Sequence, residues 1–294
     1  MAAPVAVILN AAAGGAEHGQ VARTVCAALE AAGMAARIAV AREADSLVPL
    51  ARRACEEGAA AVVAGGGDGT VSAVASVLAG TGVPLGVLPL GTLNHFAKDL
   101  GIANLGIAAA VLRRGRTVAI DAGEVNGRVF VNNSSLGLYP MVVRQRQLQQ
   151  SLGRGRWPAF AWAAVTALRW YPFLDVRLAV DGKTLARRTP FVFIGNNLYR
   201  MEGLRIGSRP ALDGGRMCVY VLHRTGRLGL LRLALSAVSG RLHRAANYDS
   251  LTAADLWIRS PHRRLSVALD GEVHVLHTPL HYRIRPGALR VIVP

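Results

Sequence analysis

The feature that most constrains the fold is an apolar run that ends in three consecutive glycines. Val62-Val63-Ala64 leads into Gly65-Gly66-Gly67, and Asp68-Gly69-Thr70 precede a segment that the pattern predicts as a helix, Val71–Leu78. A strand that stops in glycines and restarts as a helix leaves backbone N–H groups unpaired beside the positive end of the helix dipole. The loop therefore predicts a phosphate site with one carboxylate, Asp68, beside it. The alternative is a tight strand-to-helix turn in which Asp68 only caps the helix.

The N-terminal part of the chain repeats a strand–loop–helix pattern. Apolar runs of the kind that are buried on both faces of a sheet predict strands at 5–9, 36–40, 60–64 and 84–89. Amphipathic segments predict helices at 18–32, 44–58 and 71–79. This alternation favours a parallel sheet with helices on both faces, in which ligands bind beyond the carboxyl ends of the strands. Loops 10–15, 65–70 and 90–95 satisfy that geometry.

The pattern changes near residue 118 to period-two segments separated by dipeptides that favour hairpin turns. These dipeptides are Asn126-Gly127, Asp181-Gly182, Asp213-Gly214 and Asp270-Gly271. A chain of 294 residues is long enough for two domains. We therefore predict an α/β nucleotide-binding domain at 1–118, an antiparallel β-sandwich domain at 119–294, and a cleft between them.

One segment of the second domain, residues 144–173, is predicted to be a helical insertion. It holds five arginines and six aromatic residues, although aromatics make up only 5% of the chain. Arginine interleaved with aromatics suits a membrane interface, and the alternative is a helix whose aromatics pack into the domain core. A second basic helix, predicted at 225–244, is expected to bury its leucine face in the core.

The charge balance restricts the class of partner. The formal net charge is +16, which favours nucleic acid, an anionic membrane surface or phosphorylated small molecules. Nucleic acid is not expected as a partner, because no recognition module is visible and the basic residues are spread over both domains. No apolar run reaches the roughly 18–20 residues that span a bilayer, so we expect a soluble or peripheral protein. Three scattered cysteines, Cys26, Cys55 and Cys218, indicate a reducing compartment.

Five motifs, in this order along the chain, resemble the lipid-kinase family of diacylglycerol and sphingoid-base kinases. They are Asn10–Gly14, Gly66–Thr70, Pro89–Ala97, Leu212–Gly215 and Leu269–Glu272. The glycine motif alone is shared with NAD kinases and phosphofructokinases, whereas the ordered set is specific. The resemblance covers almost the whole chain. It implies a two-domain kinase that uses ATP and Mg²⁺ to phosphorylate a hydroxyl of a membrane lipid, such as diacylglycerol, a sphingoid base or ceramide.

The resemblance also implies roles for particular residues. Those expected to bind ATP are Asn10, Gly14, Gly66, Gly67, Asp68, Gly69, Thr70, Thr92 and Asn94. Three carboxylates are expected to be catalytic. Asp270 and Glu272 would lie near the γ-phosphate, across the cleft, with Glu272 as the base. Asp68 would position the metal and the acceptor. Asp213, with the backbone carbonyls of Pro210 and Gly215, resembles a structural Mg²⁺ site. Asp270-Gly271 taken alone also fits an ordinary hairpin turn.

Several positions depart from the family pattern. Ser72 and Ala73 replace an Asn-Glu pair, His95 replaces an acid, and Ala11 replaces a proline. His95 either pairs with phosphate or Asp68, or is a structural residue at a helix start. Two alternatives to a lipid kinase are an NAD kinase-like enzyme and a catalytically silent nucleotide- or lipid-binding protein. The expected location is the cytoplasm, peripherally on the inner face of an anionic membrane. The oligomeric state is left open, with a homodimer as one alternative.

Overall fold

The structure is a computed structural model of the chain. It describes residues 4–11, 18–138, 140, 173–180, 183–199, 201–202, 205–206, 208–223 and 248–294. The chain divides into two compact units, of which the first comprises Met1–Ala122, Val129–Val131 and Arg285–Pro294. The second comprises Gly123–Arg128 and Asn132–Ile284. Residues 285–294 thus cluster with the N-terminal unit, and the division near residue 118 stays a prediction.

The first part of the chain alternates strands and helices, as its sequence pattern predicts. These elements are β1 Val5–Asn10, α1 His18–Ala31, β2 Ala36–Ala41, a 3₁₀ turn Ala44–Ser46, α2 Leu47–Glu56, β3 Ala61–Gly66, α3 Asp68–Leu78, β4 Leu85–Pro89, α4 His95–Asp99 and α5 Leu105–Arg114. Strands follow from there on. They are β5 Thr117–Val125, β6 Arg128–Phe130, β7 Asn133–Gly137, β8 Leu174–Val180, β9 Lys183–Thr189, β10 Phe191–Gly195, β11 Met201–Glu202, β12 Arg205–Ile206, β13 Met217–Leu222, β14 Tyr248–Ala253, β15 Asp255–Arg259, β16 Arg264–Leu269, β17 Glu272–His277 and β18 Leu280–Ile292.

The sheet of the N-terminal unit is parallel, with the strand order β2-β1-β3-β4. The end of β18 adds to it in parallel, where Val291 pairs with Leu85. Every residue of β3 is buried, which explains why this strand has a continuous apolar sequence instead of an alternating one. Apolar faces of the helices complete the core, with Val25, Leu29, Ala51, Val74 and Leu78 almost fully buried.

The helix after the glycine loop begins earlier than the sequence pattern predicts. α3 starts at Asp68, not at Val71, and Gly67 is the extended residue before it (φ −89°, ψ −173°). The connection is this short because a Cβ atom on Gly66 would lie 2.3 Å from Thr70 Oγ1, a space that only glycine leaves open. Asp68, Gly69 and Thr70 therefore form the first turn of the helix.

The second unit contains two antiparallel sheets, which confirms the predicted sandwich-like domain. One sheet has the order β14-β13-β10-β7-β16-β17, and the other joins β9, β8, β15 and the start of β18. A buried contact links the two sheets, in which the hydroxyls of Tyr282 on β18 and Ser134 on β7 lie 2.9 Å apart. Burial raises the pKa of Tyr282 above its ordinary value. In the part of the chain that the structure describes, no helix is long and apolar enough to cross a membrane.

Two of the four predicted hairpin dipeptides are confirmed. Asn126-Gly127 and Asp270-Gly271 both have positive φ at each residue, as the type I′ turn of a two-residue hairpin requires. Asp181-Gly182 lies outside the described residues. The prediction for Asp213-Gly214 is wrong, because this dipeptide lies in a loop that leads into β13, where the Asn197 side chain accepts a hydrogen bond from Gly214 N–H (2.8 Å). The predicted helices at 144–173 and 225–244 also fall outside the described residues, except for Phe173.

Candidate active site

The end of β1 and the segments that follow β3 and β4 lie together at the carboxyl edge of the parallel sheet. Asn10, the last residue of β1, donates a hydrogen bond from Nδ2 to Thr70 Oγ1 at 3.1 Å. Thr70 lies in the first turn of α3 and is only 3% exposed. The structure therefore brings together two of the predicted ATP-binding residues, one from the end of β1 and one from the start of α3. Gly14 lies outside the described residues.

The two glycine-containing loops approach each other through their backbones. A Cβ atom on Gly91 would lie 2.4 Å from Gly67 Cα and 2.8 Å from Asn94 Oδ1. Because the nearest of these atoms belongs to the backbone, a side chain at position 91 requires the two loops to separate. The glycines thus allow the loop after β4 to lie directly against the start of α3.

Asp68 and Asn94 fix the geometry of these loops. The Asp68 carboxylate accepts hydrogen bonds from the backbone N–H groups of His95 (3.1 Å, to Oδ2) and Phe96 (3.0 Å, to Oδ1). Asn94 adopts a left-handed conformation (φ 50°) and exchanges two hydrogen bonds with the Gly91 backbone, at 3.0 Å and 2.7 Å. Asp68 therefore stabilises the start of α4 from the neighbouring loop. A carboxylate has about four lone-pair sites, so each oxygen can still accept a further donor or a cation.

The start of α3 has the properties of an anion site. Its N-cap residue is Gly67, which has no side chain that could accept hydrogen bonds from the first turn. The first backbone N–H groups of a helix have no intrahelical acceptor, and a phosphate satisfies them. Gly67, Asp68 and Gly69 are half-buried, Thr92 and the His95 ring are exposed, and the bond from His95 to Asp68 comes from its backbone.

Asp270 and Glu272 lie in one hairpin but differ in their surroundings. Asp270 Oδ1 accepts hydrogen bonds from the backbone N–H groups of Asn132 (2.8 Å) and Asn133 (2.9 Å). The Asp270 N–H in turn donates to the Asn133 carbonyl at 2.9 Å. Asp270 therefore attaches the β16–β17 hairpin to the start of β7. Glu272 is the first residue of β17, opposite Leu269, and it is exposed.

The predicted structural metal residues lie in the loop before β13. Asp213 and Pro210 are exposed, and Gly215 is half-buried with a positive φ of 67°. Within the described ranges, no three His, Cys, Asp or Glu side chains are close enough to form a metal-binding cluster. The oxygen donors proposed for this loop are one carboxylate and two carbonyls, a set that Mg²⁺ accepts when water completes its coordination.

Arg209 is a buried residue that no sequence motif indicates. It is only 4% exposed, and its Nη2 donates to Asn132 Oδ1 at 2.9 Å. Its guanidinium carbon lies 5.4 Å from the centre of the Tyr199 ring, and the Tyr199 hydroxyl donates to the Asn132 carbonyl at 2.9 Å. Asn132 therefore connects Asp270 to the segment that carries Asp213. The segment Ser208-Arg209-Pro210 does not indicate that its arginine is buried, because the burial depends on a partner 77 residues away.

Two family models match the chain, one for each part of it. Residues 4–125 match the diacylglycerol kinase catalytic domain. Residues 139–293 match the YegS C-terminal NAD kinase beta sandwich-like domain. Together with the fold and the loop geometry, these matches define the class of protein. The chain belongs to the bacterial family of diacylglycerol kinase-like and YegS-like lipid kinases, and it is an enzyme of the lipid kinase class.

Individual proteins show the same likeness. The chain is 33% identical over 262 residues to a probable lipid kinase YegS-like of Pseudomonas aeruginosa, covering 83% of this chain and 81% of the relative. It is 27% identical over 272 residues to the uncharacterized protein sll0036 of Synechocystis. That match covers 88% of this chain and 61% of the longer relative. A crystal structure described as a diacylglycerol kinase from Bacillus anthracis superimposes with a TM-score of 0.70 at 18% identity, covering 99% of this chain and 97% of the other. That last similarity shows the fold.

Proposed function

We propose that the protein transfers the γ-phosphate of ATP to a hydroxyl of a membrane lipid, with diacylglycerol as the first candidate acceptor. The observation that carries this proposal is the start of α3, where Gly67 provides no capping side chain, residues 67–69 are only half-buried, and the loop with Gly91 lies directly alongside. The name of the family model that matches residues 4–125 supports diacylglycerol. Sphingoid bases and ceramide are the other acceptors to test.

The phosphates of ATP bind the first turn of α3 in this proposal. Backbone N–H groups at Gly67, Asp68 and Gly69 donate to phosphate oxygens, and the exposed Thr92 hydroxyl adds a donor from the neighbouring loop. Asn10 keeps the Thr70 side chain in place below the phosphates through the bond described above. Phosphoryl transfer needs positioning and charge stabilisation more than covalent chemistry, and these groups supply both.

The residues at Asp68 fit a Mg²⁺ ion bound together with ATP. Asp68 presents a fixed, half-buried carboxylate at the phosphate site, and Mg²⁺ is commonly held by one or two carboxylates plus substrate phosphates. When bound, the ion neutralises charge that develops on the transferred phosphoryl group. Asp213 with the carbonyls of Pro210 and Gly215 is the proposed second, structural site.

Glu272 is the proposed base that takes the proton from the lipid hydroxyl. Its carboxylate is exposed, whereas Asp270 binds two backbone N–H groups and fixes the hairpin that carries Glu272. We therefore assign Asp270 a positioning role in the reaction. The proposed place of action is the cytoplasmic face of an anionic membrane, which the net charge of +16 supports.

A lipid-panel kinase assay tests the function. The purified chain is incubated with Mg²⁺, γ-labelled ATP and mixed micelles of diacylglycerol, sphingosine or ceramide, and the product is identified by mass spectrometry. We expect label in one lipid class and none with Asp68→Ala. Nucleotide binding without any labelled lipid contradicts the proposal and supports a silent binding protein. Phosphorylation of NAD instead of lipid supports the NAD kinase-like alternative.

A further inference from the structure

One sheet face of the second unit is unusually rich in arginine. Along β8 the residues alternate, so that Val176 and Leu178 are buried while Asp175 and Arg177 are exposed. The strand register places Arg188 of β9 beside Asp175 and Arg259 of β15 beside Arg177. We call the exposed residues Asp175, Arg177, Arg188 and Arg259 the arginine face. It lines an open groove of about 570 Å³.

The central pair of the arginine face consists of two like charges. Arg177 and Arg259 are directly opposite each other on antiparallel strands, an arrangement that destabilises a sheet unless an anion lies nearby. In the described ranges, neither guanidinium forms a hydrogen bond or an ion pair with a carboxylate. On this face Asp175 lies 3.9 Å from Arg188, and both side chains are more than half exposed (62% and 56%). A second acid on the same side of β15, Asp255, lies 2.6 Å from His281 Nε2. The face therefore carries excess positive charge.

An aromatic side chain continues the same face. Trp257 precedes Arg259 by two residues on β15, so both side chains lie on the same side of the sheet, and Trp257 is 36% exposed. Its ring stacks on His281 with centroids 4.0 Å apart and planes at 7°. At the other end, the Arg188 guanidinium lies 5.4 Å from the Phe173 ring. After β15 come two further exposed arginines, Arg263 in the loop and Arg264 at the start of β16.

We propose that the arginine face docks onto an anionic phospholipid bilayer, with Arg177 and Arg259 binding lipid phosphates. A guanidinium binds a phosphodiester through two parallel hydrogen bonds, and tryptophan favours the headgroup level of a membrane. The groove is open and its charges lie on three neighbouring strands, which suits a surface of many phosphates better than one enclosed small anion. The inference rests on the proposed lipid kinase function, since it names the surface through which that enzyme reaches its substrate.

Vesicle sedimentation of the full chain tests this surface. The variant Arg177→Gln/Arg259→Gln is compared with Arg52→Gln/Arg113→Gln, which loses the same charge from exposed helix positions elsewhere. With phosphatidylcholine vesicles that contain phosphatidylglycerol, we expect the first variant to bind about 25-fold more weakly, because each basic residue near an anionic surface contributes about fivefold. We expect the control variant to bind these vesicles less than about threefold more weakly than the wild type, and we expect all three proteins to bind pure phosphatidylcholine weakly. Equal losses in both variants overturn the proposal.

A charge swap separates docking from folding. Arg259→Glu places an opposite charge beside Arg177, so we expect thermal unfolding at a higher temperature together with weaker vesicle binding. A merely structural arginine would not shift the two properties in opposite directions. Inorganic phosphate and glycerol 3-phosphate serve as competitors. If they displace the wild type from vesicles at low concentration, or if an oligonucleotide binds through the same arginines while vesicles do not, the membrane assignment is wrong.

Kinase assays separate this proposal from the proposed function. With diacylglycerol in detergent micelles, Arg177→Gln/Arg259→Gln should keep wild-type activity, and with diacylglycerol in anionic vesicles it should lose activity in proportion to binding. Vesicle binding that depends on the two arginines in a protein without any lipid kinase activity supports the surface and contradicts the function. Full activity on vesicles with both arginines replaced supports the function and overturns the surface.

Discussion

The two units hold their predicted site residues by different means. In the N-terminal unit the glycine loops meet backbone to backbone, and the close approach of Gly91 to Gly67 leaves no room for a side chain. In the second unit a side chain holds the backbone, because Asp270 binds the N–H groups of Asn132 and Asn133. A glycine motif thus marks a place from which side chains are excluded. In the motif Asp270-Gly271-Glu272, Asp270 has a structural role and Glu272 the proposed catalytic role, and only the three-dimensional structure distinguishes the two.

The largest expected effect comes from the carboxylate that the hairpin leaves exposed. Glu272→Gln should lower the rate of lipid phosphorylation by about 100- to 10,000-fold, the usual contribution of a general base, and should change the free energy of unfolding less than Asp270→Ala does. Steady-state kinetics and urea unfolding measure the two quantities. Full turnover in this variant contradicts the assignment of Glu272 as the base.

Two substitutions at Asp270 provide the matched comparison for Glu272→Gln. Asp270→Asn keeps an oxygen acceptor and tolerates the positive φ of 47°, so it should retain most activity and stability. Asp270→Ala should lose about 1–3 kcal/mol of unfolding free energy, because it leaves two backbone donors without their acceptor. An inactive but fully stable Asp270→Asn protein would instead make Asp270 a catalytic residue.

The next effect concerns the backbone contact in the N-terminal unit. In Gly91→Ala the new Cβ atom separates the two loops, and a displacement of about 1 Å at a reacting group costs about 100-fold in rate. Gly106→Ala in the first turn of α5 is the control, since its Cβ atom would lie at an ordinary contact distance of 3.5 Å from Asn104 Oδ1, and it should gain about 0.5–1 kcal/mol in stability. If Gly91→Ala has wild-type kinetics, the close approach has no role in phosphate binding.

A smaller effect is expected where the end of β1 meets the first turn of α3. Thr70→Val removes the acceptor for Asn10 Nδ2 while keeping the side-chain shape, which should cost about 1 kcal/mol of stability and about three- to tenfold in the KM for ATP. Thr24→Val in α1 removes an exposed hydroxyl that bonds to the Gln20 carbonyl, and it should leave KM unchanged. Equal KM values for all three proteins would show that the Asn10–Thr70 bond does not order the phosphate site.

The smallest expected effect is a dependence of the free energy of unfolding on acidic pH, caused by Asp249 in the second unit. The hydrogen bond from Arg187 (2.7 Å), followed by that from His223, lowers the pKa of Asp249 below its ordinary value. The folded state therefore binds this proton less readily than the unfolded state, whose pKa is about 3.9. The contribution of Asp249 is complete above that pH and is lost as the pH falls through the lower, folded pKa.

Asp249→Asn measures this contribution. We expect a loss of about 0.5–1 kcal/mol at neutral pH, since both side chains are partly exposed, and no difference from the wild type once Asp249 is protonated in both states. Chemical unfolding over a range of acidic pH values is the measurement, with Asp175→Asn as the control because its arginine lies 3.9 Å away. A difference that grows as the pH falls contradicts this explanation.

Much of the fold was predictable because its signals are local. The buried run of β3 and the turns at Asn126-Gly127 and Asp270-Gly271 follow from residues next to one another. The start of α3 was misplaced because it depends on the contact between Gly66 and Thr70, which is a matter of packing. Asp213-Gly214 has the same composition as a hairpin turn, but the Asn197 side chain determines its surroundings.

The site was less predictable than the fold because its contacts join distant positions. The motifs indicated that Asp68 and Asn94 belong to the same site, but not that Asp68 binds the backbone of His95 and Phe96. Arg209 was missed for the same reason, since its partner Asn132 lies far away in the chain. A single sequence shows which residue types are present, whereas their contacts depend on the whole fold.

The last strand has a consequence for the order in which the chain folds during synthesis. Val291 of β18 is fully buried against β4, and the Ala288 carbonyl accepts a hydrogen bond from Gly80 N–H at 2.7 Å. On the ribosome, the sheet that contains β1 to β4 therefore stays incomplete until residues 285–294 have been translated. Until then one side of β4 is an open edge, the kind of strand surface at which nascent chains aggregate.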